Sequence, residues 1–326
     1  MCRVANNIIF LTFTLLIIFY IGCFKSDKDE EEKEMINAIK QNNIEFLTKK
    51  LRNGFDLNNQ KLMEEIPLHL AVSESKINII YLFLENKANV NARDEILGNT
   101  CLWYAVDVEV VKLLIEKGID INLQNKRGEI ALFHFVYDDY HDNYKISNLL
   151  IENGSNLNTR DRVGATPISI AVYGGNYKSF DLLLKKGAEI NIKDNNNFNL
   201  LNYLALGKSS VKFARILEKN GITFDNITKN GDNSIILVAK HPIEKVEYLK
   251  FLLSKGLNIN HQNIFGNTAL HEAVESGSSE IVAELLKNRA KINIKNKEGK
   301  TAEAIAIHNK DNKIIKLFKL AHTRQL

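Results

Sequence analysis

The residues with chemistry to offer are few and scattered. Eight histidines and three cysteines stand among 326 residues. His69, His241, His261 and His271 stand singly, whereas His134 and His141 flank Asp138, Asp139 and Asp142. A metal held there would need three or four ligands at fixed geometry, with the aspartates supplying oxygens. No His-Glu-x-x-His and no His/Cys cluster occurs. Cys2, Cys23 and Cys101 lie in unlike contexts and lack the x2 spacing of a zinc site, so neither a disulfide framework nor zinc is expected. A Gly-x-Ser-x-Gly elbow and a phosphate loop of the form Gly-x-x-x-x-Gly-Lys are also missing. The expectation is a protein that is not an enzyme and uses no cofactor or metal.

Most of the patterned sequence is spent on one recurring unit. It reads Gly-x-Thr-x-Leu-His-x-Ala, then an apolar run ending in Leu-Leu, then Gly, then Asn between apolar residues. Gly98, Gly128, Gly164, Asn197, Gly231, Gly266 and Gly299 mark successive copies, spaced 30 to 36 residues apart. A period of that length means a stacked array rather than a closed globule. Thr166-Pro167 shows how a unit starts, because Thr caps free N–H groups and Pro is tolerated at the first helical position. A second helix follows, as in Val110–Ile115, Phe180–Leu184 and Ile281–Leu286. It stops at Gly118, Gly154, Gly187, Gly221 or Gly256, residues free to adopt the left-handed conformation that ends a helix. An extended segment such as Ile119–Asn122 leads to the next turn.

The unit resembles the ankyrin repeat. The Thr-Pro-Leu-His-x-Ala signature of that family appears as Ile66-Pro67-Leu68-His69-Leu70-Ala71, Thr166-Pro167-Ile168-Ser169-Ile170-Ala171 and Thr268-Ala269-Leu270-His271-Glu272-Ala273. The Gly-Ala-x-Ile/Val-Asn ending appears at Gly187–Asn191, and with Gly replaced at Lys87–Asn91 and Arg289–Asn293. The resemblance runs from about Met35 to Ala321. It implies an all-α solenoid of stacked helix-turn-helix units with short hairpin turns. Residues 35–326 would hold about nine units, with imperfect caps at both ends. It also implies that His69 and His271 bond the backbone of an adjoining turn, that partners dock in a concave groove, and that Gly174-Gly175 is a turn between helices.

Two departures from the repeat carry functional expectations. The column one residue before Ala reads Leu70, Tyr104, His134, Ile170, Tyr203, Leu237, Glu272 and Ile305. The resemblance places it in the groove, and an exposed apolar stripe marks a binding surface; the alternative is packing against neighbouring hairpins. Leu70, Tyr104, His134, Ile170, Tyr203 and Leu237 are the candidate partner-binding residues, with polar hairpin tips as their rim. Loss of Tyr104 and Tyr203 together is expected to weaken capture of a partner. The second departure is length. Thr100 to Gly118 is short near Asp107, whereas Ile130 to Gly154 is long, the extra stretch being Tyr137–Tyr144. Tyr137, Tyr140 and Tyr144 form a candidate contact loop, since Tyr gives contact area at low entropy cost; a drifted loop is the plainer reading.

The start of the chain stands outside the repeat. Arg3, the apolar run Ile8–Ile21 and a small residue before Cys23 describe an export signal over residues 1–22. Tyr20-Ile21-Gly22-Cys23 resembles a bacterial lipobox, which implies lipidation of Cys23 and a membrane-held protein. An uncleaved anchor or plain secretion are the alternatives. Residues 23–34 would then be a charged, solvated tether. The formal net charge is +4, and no basic block dominates after the start, so nucleic acid is not the expected partner. The richness in Asn, Ile and Lys reads as codon preference. The expected function is a monomeric protein-interaction scaffold at a bacterial envelope. A secreted or host-directed effector, or a regulator or protector of a periplasmic enzyme, is the alternative.

Overall fold

The computed structural model describes residues 27–140, 142–208 and 211–324. Signal and lipobox residues, Cys23 included, and His141 lie outside the described residues. The chain divides into two compact units, one ending at Asp94 and one spanning Glu95–Leu326. Seventeen α-helices, one 3-10 helix and no strand occur among the described residues.

The first unit holds α1 (Asp27–Lys40), α2 (Ile44–Arg52), α3 (Pro67–Ser73) and α4 (Ile77–Glu85). Met35, Ile39, Leu47, Leu68, Ile79, Ile80 and Phe83 form its core. Residues 27–34, expected as a tether, are instead the opening turns of α1. Lys50 binds Glu31 at 2.8 Å and Glu34 at 3.6 Å, and Glu32 Oε2 accepts the Met63 N–H at 3.0 Å. Carboxylates near a helix N-terminus also interact well with its dipole, which favours a helix over a free tether.

The second unit begins with the 3-10 helix Cys101–Tyr104, paired with α5 (Val108–Glu116). Six helix pairs follow: α6 (Leu132–Phe135) with α7 (Asn143–Glu152), α8 (Pro167–Gly174) with α9 (Tyr177–Lys185), and α10 (Leu200–Leu206) with α11 (Val211–Lys219). Then come α12 (Ser234–Lys240) with α13 (Val246–Ser254), α14 (Ala269–Glu275) with α15 (Ser279–Lys287), and α16 (Ala302–His308) with α17 (Asn312–Arg324). From α6 on, each first helix packs on the next first helix, and from α5 on each second helix packs on the next second helix, α9 and α11 meeting through Phe180 and Phe213. Two layers result, with the apolar core running unbroken from Ile130 to Phe318.

Local chemistry sets each helix start. The third residue after the cap reaches back to the cap N–H: Ser169 Oγ to Thr166 at 3.3 Å, Asn202 Oδ1 to Asn199 at 3.0 Å, and His271 Nδ1 to Thr268 at 3.1 Å. This reciprocal box satisfies donors that a helix start leaves without partners. The short unit loses most of its first helix to the 3-10 turn, and Asp107 caps α5 by accepting the Glu109 N–H at 2.7 Å.

The asparagines, read as codon preference, have a physical use. Asn58 Oδ1 accepts the Asn89 N–H at 2.7 Å, and its Nδ2 donates to Lys87 O at 2.9 Å. Asn122 does the same with Asn156 N at 2.8 Å and Gly154 O at 3.0 Å. Asn158 and Asn260 accept from Glu189 and Lys291 at 2.9 and 2.8 Å. An amide is suited to this because it offers a donor and an acceptor at once.

Candidate partner-binding face

The turns that join the units are built by one device. At five tips the side chain three residues before the left-handed residue accepts two backbone N–H groups, and at Gly231 the Thr228 hydroxyl accepts one, that of Asp232 at 3.1 Å. Asp161 Oδ1 takes those of Val163 and Ala165 at 2.9 and 2.8 Å. Asp194 Oδ1 takes Asn196 and Phe198, each at 2.8 Å, and Asn263 Oδ1 takes Phe265 and Asn267, each at 3.0 Å. Asn125 and Asn296 repeat the pattern. Such side chains imitate a backbone turn, which is why Asn and Asp dominate there.

The tips are also tied to one another through main-chain atoms. The N–H groups of Lys126, Arg162, Asn195, Lys229, Ile264 and Lys297 donate to the carbonyls of Leu97, Arg127, Val163, Asn196, Asn230 and Phe265, at 2.7 to 3.0 Å. A residue able to adopt the left-handed conformation, usually Gly, is required for this approach. At Gly266, with φ 75°, a Cβ would lie 2.8 Å from Lys297 N. Asn197 takes the same left-handed conformation at φ 63° and donates its side-chain amide to Ile227 O.

This edge carries four of the exposed large apolar residues, and others such as Ile243 and Ile307 lie off it. Ile96 is 65% exposed, Phe265 55%, Val163 47% and Ile264 46%. The sequence had suggested a purely polar rim here. The predicted stripe behaves in the opposite way: Leu70, Ile170, Tyr203 and Leu237 are all 7% exposed or less. The Tyr203 hydroxyl donates to Asp194 Oδ2 at 2.9 Å, which makes it part of the turn. A first helix packed between two like helices and over a second has almost no open side, so apolar residues all round it signal burial. Tyr104 is half-buried and His134 is exposed, with the His134 ring 6.2 Å from Trp103.

The tyrosine insertion is fastened at its base. Asp138 O accepts Asn176 Nδ2 at 2.7 Å, Asp138 Oδ1 accepts Asn143 Nδ2 at 2.9 Å, and Asp139 pairs with Lys178 at 2.6 Å. Tyr137 is half-buried against Tyr173, with ring centroids 6.3 Å apart. Tyr140 and Tyr144 face solvent, and Tyr144 lies in the first turn of α7.

Cys101, Lys245, His69 and His271 are enclosed, whereas His241, His308 and His322 are exposed. Burial pushes the Cys101 thiol up to about 12, which removes it as a nucleophile near neutrality. Lys245 is buried and donates to Ala205 O, and burial pushes its ammonium down to about 8. His69 Nε2 meets Ala92 O at 3.1 Å, and His271 Nε2 meets Lys300 O at 3.1 Å. Among the described residues no cluster of His, Cys, Asp or Glu is placed to hold a metal ion. No described helix is long and apolar enough to cross a membrane.

Comparison with known proteins bears on this stack. A family model for ankyrin repeats matches residues 35–125, 107–194 and 235–323. An ankyrin repeat protein of Acanthamoeba polyphaga mimivirus is 30% identical over 275 residues, 81% of this chain and 33% of the relative. One from Variola virus is 24% identical over 241 residues, 72% of this chain and 38% of the relative. One from Rickettsia felis is 34% identical over 102 residues, 29% of this chain and 45% of the relative. The chain therefore spans about a third of the length of the first two.

Proposed function

The chain belongs to the ankyrin repeat family, and on that footing we propose that it is a protein–protein interaction scaffold whose partner sits on the tips of the second unit. The carrying observation is the exposure of Ile96, Val163, Ile264 and Phe265 on turns that the main chain already holds in place. Exposed apolar groups cost nothing to desolvate and gain on burial, about 25 cal/mol per Å2 of area. A pre-ordered edge also loses little conformational freedom on association. Tyr140 and Tyr144 are exposed on the insertion between α6 and α7, seated against the α8–α9 turn, and offer a second contact surface apart from the tips.

The test is a Val163→Asp/Phe265→Asp double variant in the full chain, used as bait in intact cells. Both side chains already face water, so the circular dichroism spectrum and melting midpoint are expected to match wild type. Partner recovery is expected to fall by about tenfold or more. Equal recovery by the folded variant would remove the tips as the binding face.

We also propose that residues 1–22 export the scaffold and that Cys23 is lipidated, which would hold it at a bacterial cell envelope. The apolar run Ile8–Ile21 and the Gly22-Cys23 step support this. Each buried CH2 of an acyl chain contributes about 0.8 kcal/mol to membrane binding. A clickable palmitate analogue is expected to label the wild type and not Cys23→Ala; an unlabelled wild type ends the proposal.

A further inference from the structure

We propose that the partner segment recognised by the second unit is acidic and carries apolar side chains. This rests on the reading of the tips as the partner's seat and adds the partner's chemistry. Lys126, Arg127, Arg160, Arg162, Lys193, Lys229, Lys295, Lys297 and Lys300 are all exposed on the tip edge or beside it. Of these nine, only Lys300 holds a carboxylate within ion-pair distance among the described residues, Glu298 at 2.9 Å. The chain as a whole has a formal net charge of only +4, so positive charge is concentrated on this edge.

The turn chemistry explains the concentration. Three acids of the tips, Asp161, Asp194 and Asp232, are engaged internally, whereas Glu95 and Glu298 stay exposed. Asp161 and Asp194 accept backbone N–H groups, and Asp194 also accepts the Tyr203 hydroxyl. Asp232 is bound by Lys240 at 2.7 Å and by Asn263 Nδ2 at 2.9 Å. Asp161 and Asp232 are both buried, whereas the lysines and arginines beside them are exposed, with Lys126 Nζ donating to Glu95 O and Arg160 Nη2 to Lys193 O. The ladder then sets these cations in sequence, since Lys126, Arg162, Lys229 and Lys297 each provide a rung.

An array of exposed cations raises the encounter rate with an anionic partner and selects against a cationic one. A flexible polyanion alone would leave the apolar groups uncovered. Ile96, Val163, Ile264 and Phe265 stand between the cations on the same edge, and Ile and Val offer a nucleobase no stacking face. An acidic segment with apolar side chains satisfies both features, which is why a protein segment is preferred to a nucleic acid.

The experiment uses the full chain and a fluorescent synthetic peptide of glutamate and leucine residues, read by anisotropy. Polyglutamate and a single-stranded oligonucleotide serve as comparison probes. The glutamate–leucine peptide is expected to bind best and to weaken as salt rises. An Arg127→Glu/Arg162→Glu/Lys229→Glu variant, checked for fold by circular dichroism, is expected to bind about tenfold more weakly, and Val163→Asp/Phe265→Asp likewise. The proposal is overturned if the peptide does not bind, if the folded charge-reversed variant binds it equally, or if either comparison probe binds as tightly. It is also overturned if cellular partner capture is lost in Val163→Asp/Phe265→Asp while the peptide fails to bind. In that outcome the tips remain the seat and only the assigned chemistry falls.

Discussion

Gly174→Ala is expected to destabilise the protein by about 3 kcal/mol, the upper end for overpacking a filled site. Gly174 ends α8, and Ala in place of Gly within a helix ordinarily gains up to about 1 kcal/mol. The sign reverses here because of what lies beside it. A Cβ at Gly174 would sit 1.8 Å from the Tyr137 carbonyl oxygen and 2.8 Å from its carbon. These are backbone atoms, so no side-chain rotation gives relief. The base of the insertion must retreat instead, which strains the Asn176 to Asp138 O bond and the Tyr137–Tyr173 contact. Gly187→Ala is the control: it has open space around the Cβ but φ 88°, and is expected to cost about 1 kcal/mol from conformation alone. Denaturant midpoints of the two variants and wild type decide it. A Gly174→Ala protein as stable as wild type would mean that the insertion is not seated as described.

His271→Ala is expected to cost about 2–3 kcal/mol, the penalty for leaving buried backbone groups unpaired. Nδ1 accepts the Thr268 N–H and Nε2 faces the Lys300 carbonyl. That network assigns the neutral ring with its proton on Nε2. Adding a second proton removes the acceptor that Thr268 needs. Burial holds the pKa of His271 below the ordinary value, and burial does the same at His69. An unfolded chain therefore binds more protons than the folded one just below the ordinary histidine value of 6.5. The stabilisation is complete above that pH and is lost as pH falls through the depressed folded values. His271→Asn separates the two effects. Asn202 already fills this slot in another unit and accepts the Asn199 N–H. The Asn variant is expected to keep more stability than Ala at neutral pH and to flatten the acid limb. Melting midpoints measured from about pH 8 to about pH 5 test this, and an unchanged acid limb in His271→Asn would exclude His271 as its source.

The helices, their caps and their stops were legible because they are local. Thr166-Pro167 and the glycines after each second helix state their conformation within a few residues. Lys87 and Arg289 show the same stop without Gly, at φ 66° and 61°. What misled was surface, which depends on neighbours far away in sequence. Ile170 and Leu237 look like an apolar stripe only if the first helix has an open side, and the neighbouring first helices close it. Ile96, Val163 and Phe265 are easily passed over among the polar residues of the tips, yet the left-handed Gly beyond each turns the chain so that they project outward. The acidic run 27–34 looks like solvated tether because its cation, Lys50, stands 19 residues from Glu31.

The rungs between tips are made only of peptide groups, and this separates two kinds of sequence constraint. The side-chain oxygens of Asn125, Asp161, Asp194, Asn263 and Asn296 must stay, as must the left-handed residue three positions on from each. The residues that donate and accept the rungs need not, and their present variety says as much: Lys126, Arg162, Asn195, Lys229, Ile264 and Lys297 fill the same place. A lineage can therefore rewrite what the edge recognises one turn at a time, exchanging charge for hydrocarbon, without eroding the stack that presents it. Specificity in such a molecule drifts cheaply, while its architecture stays fixed.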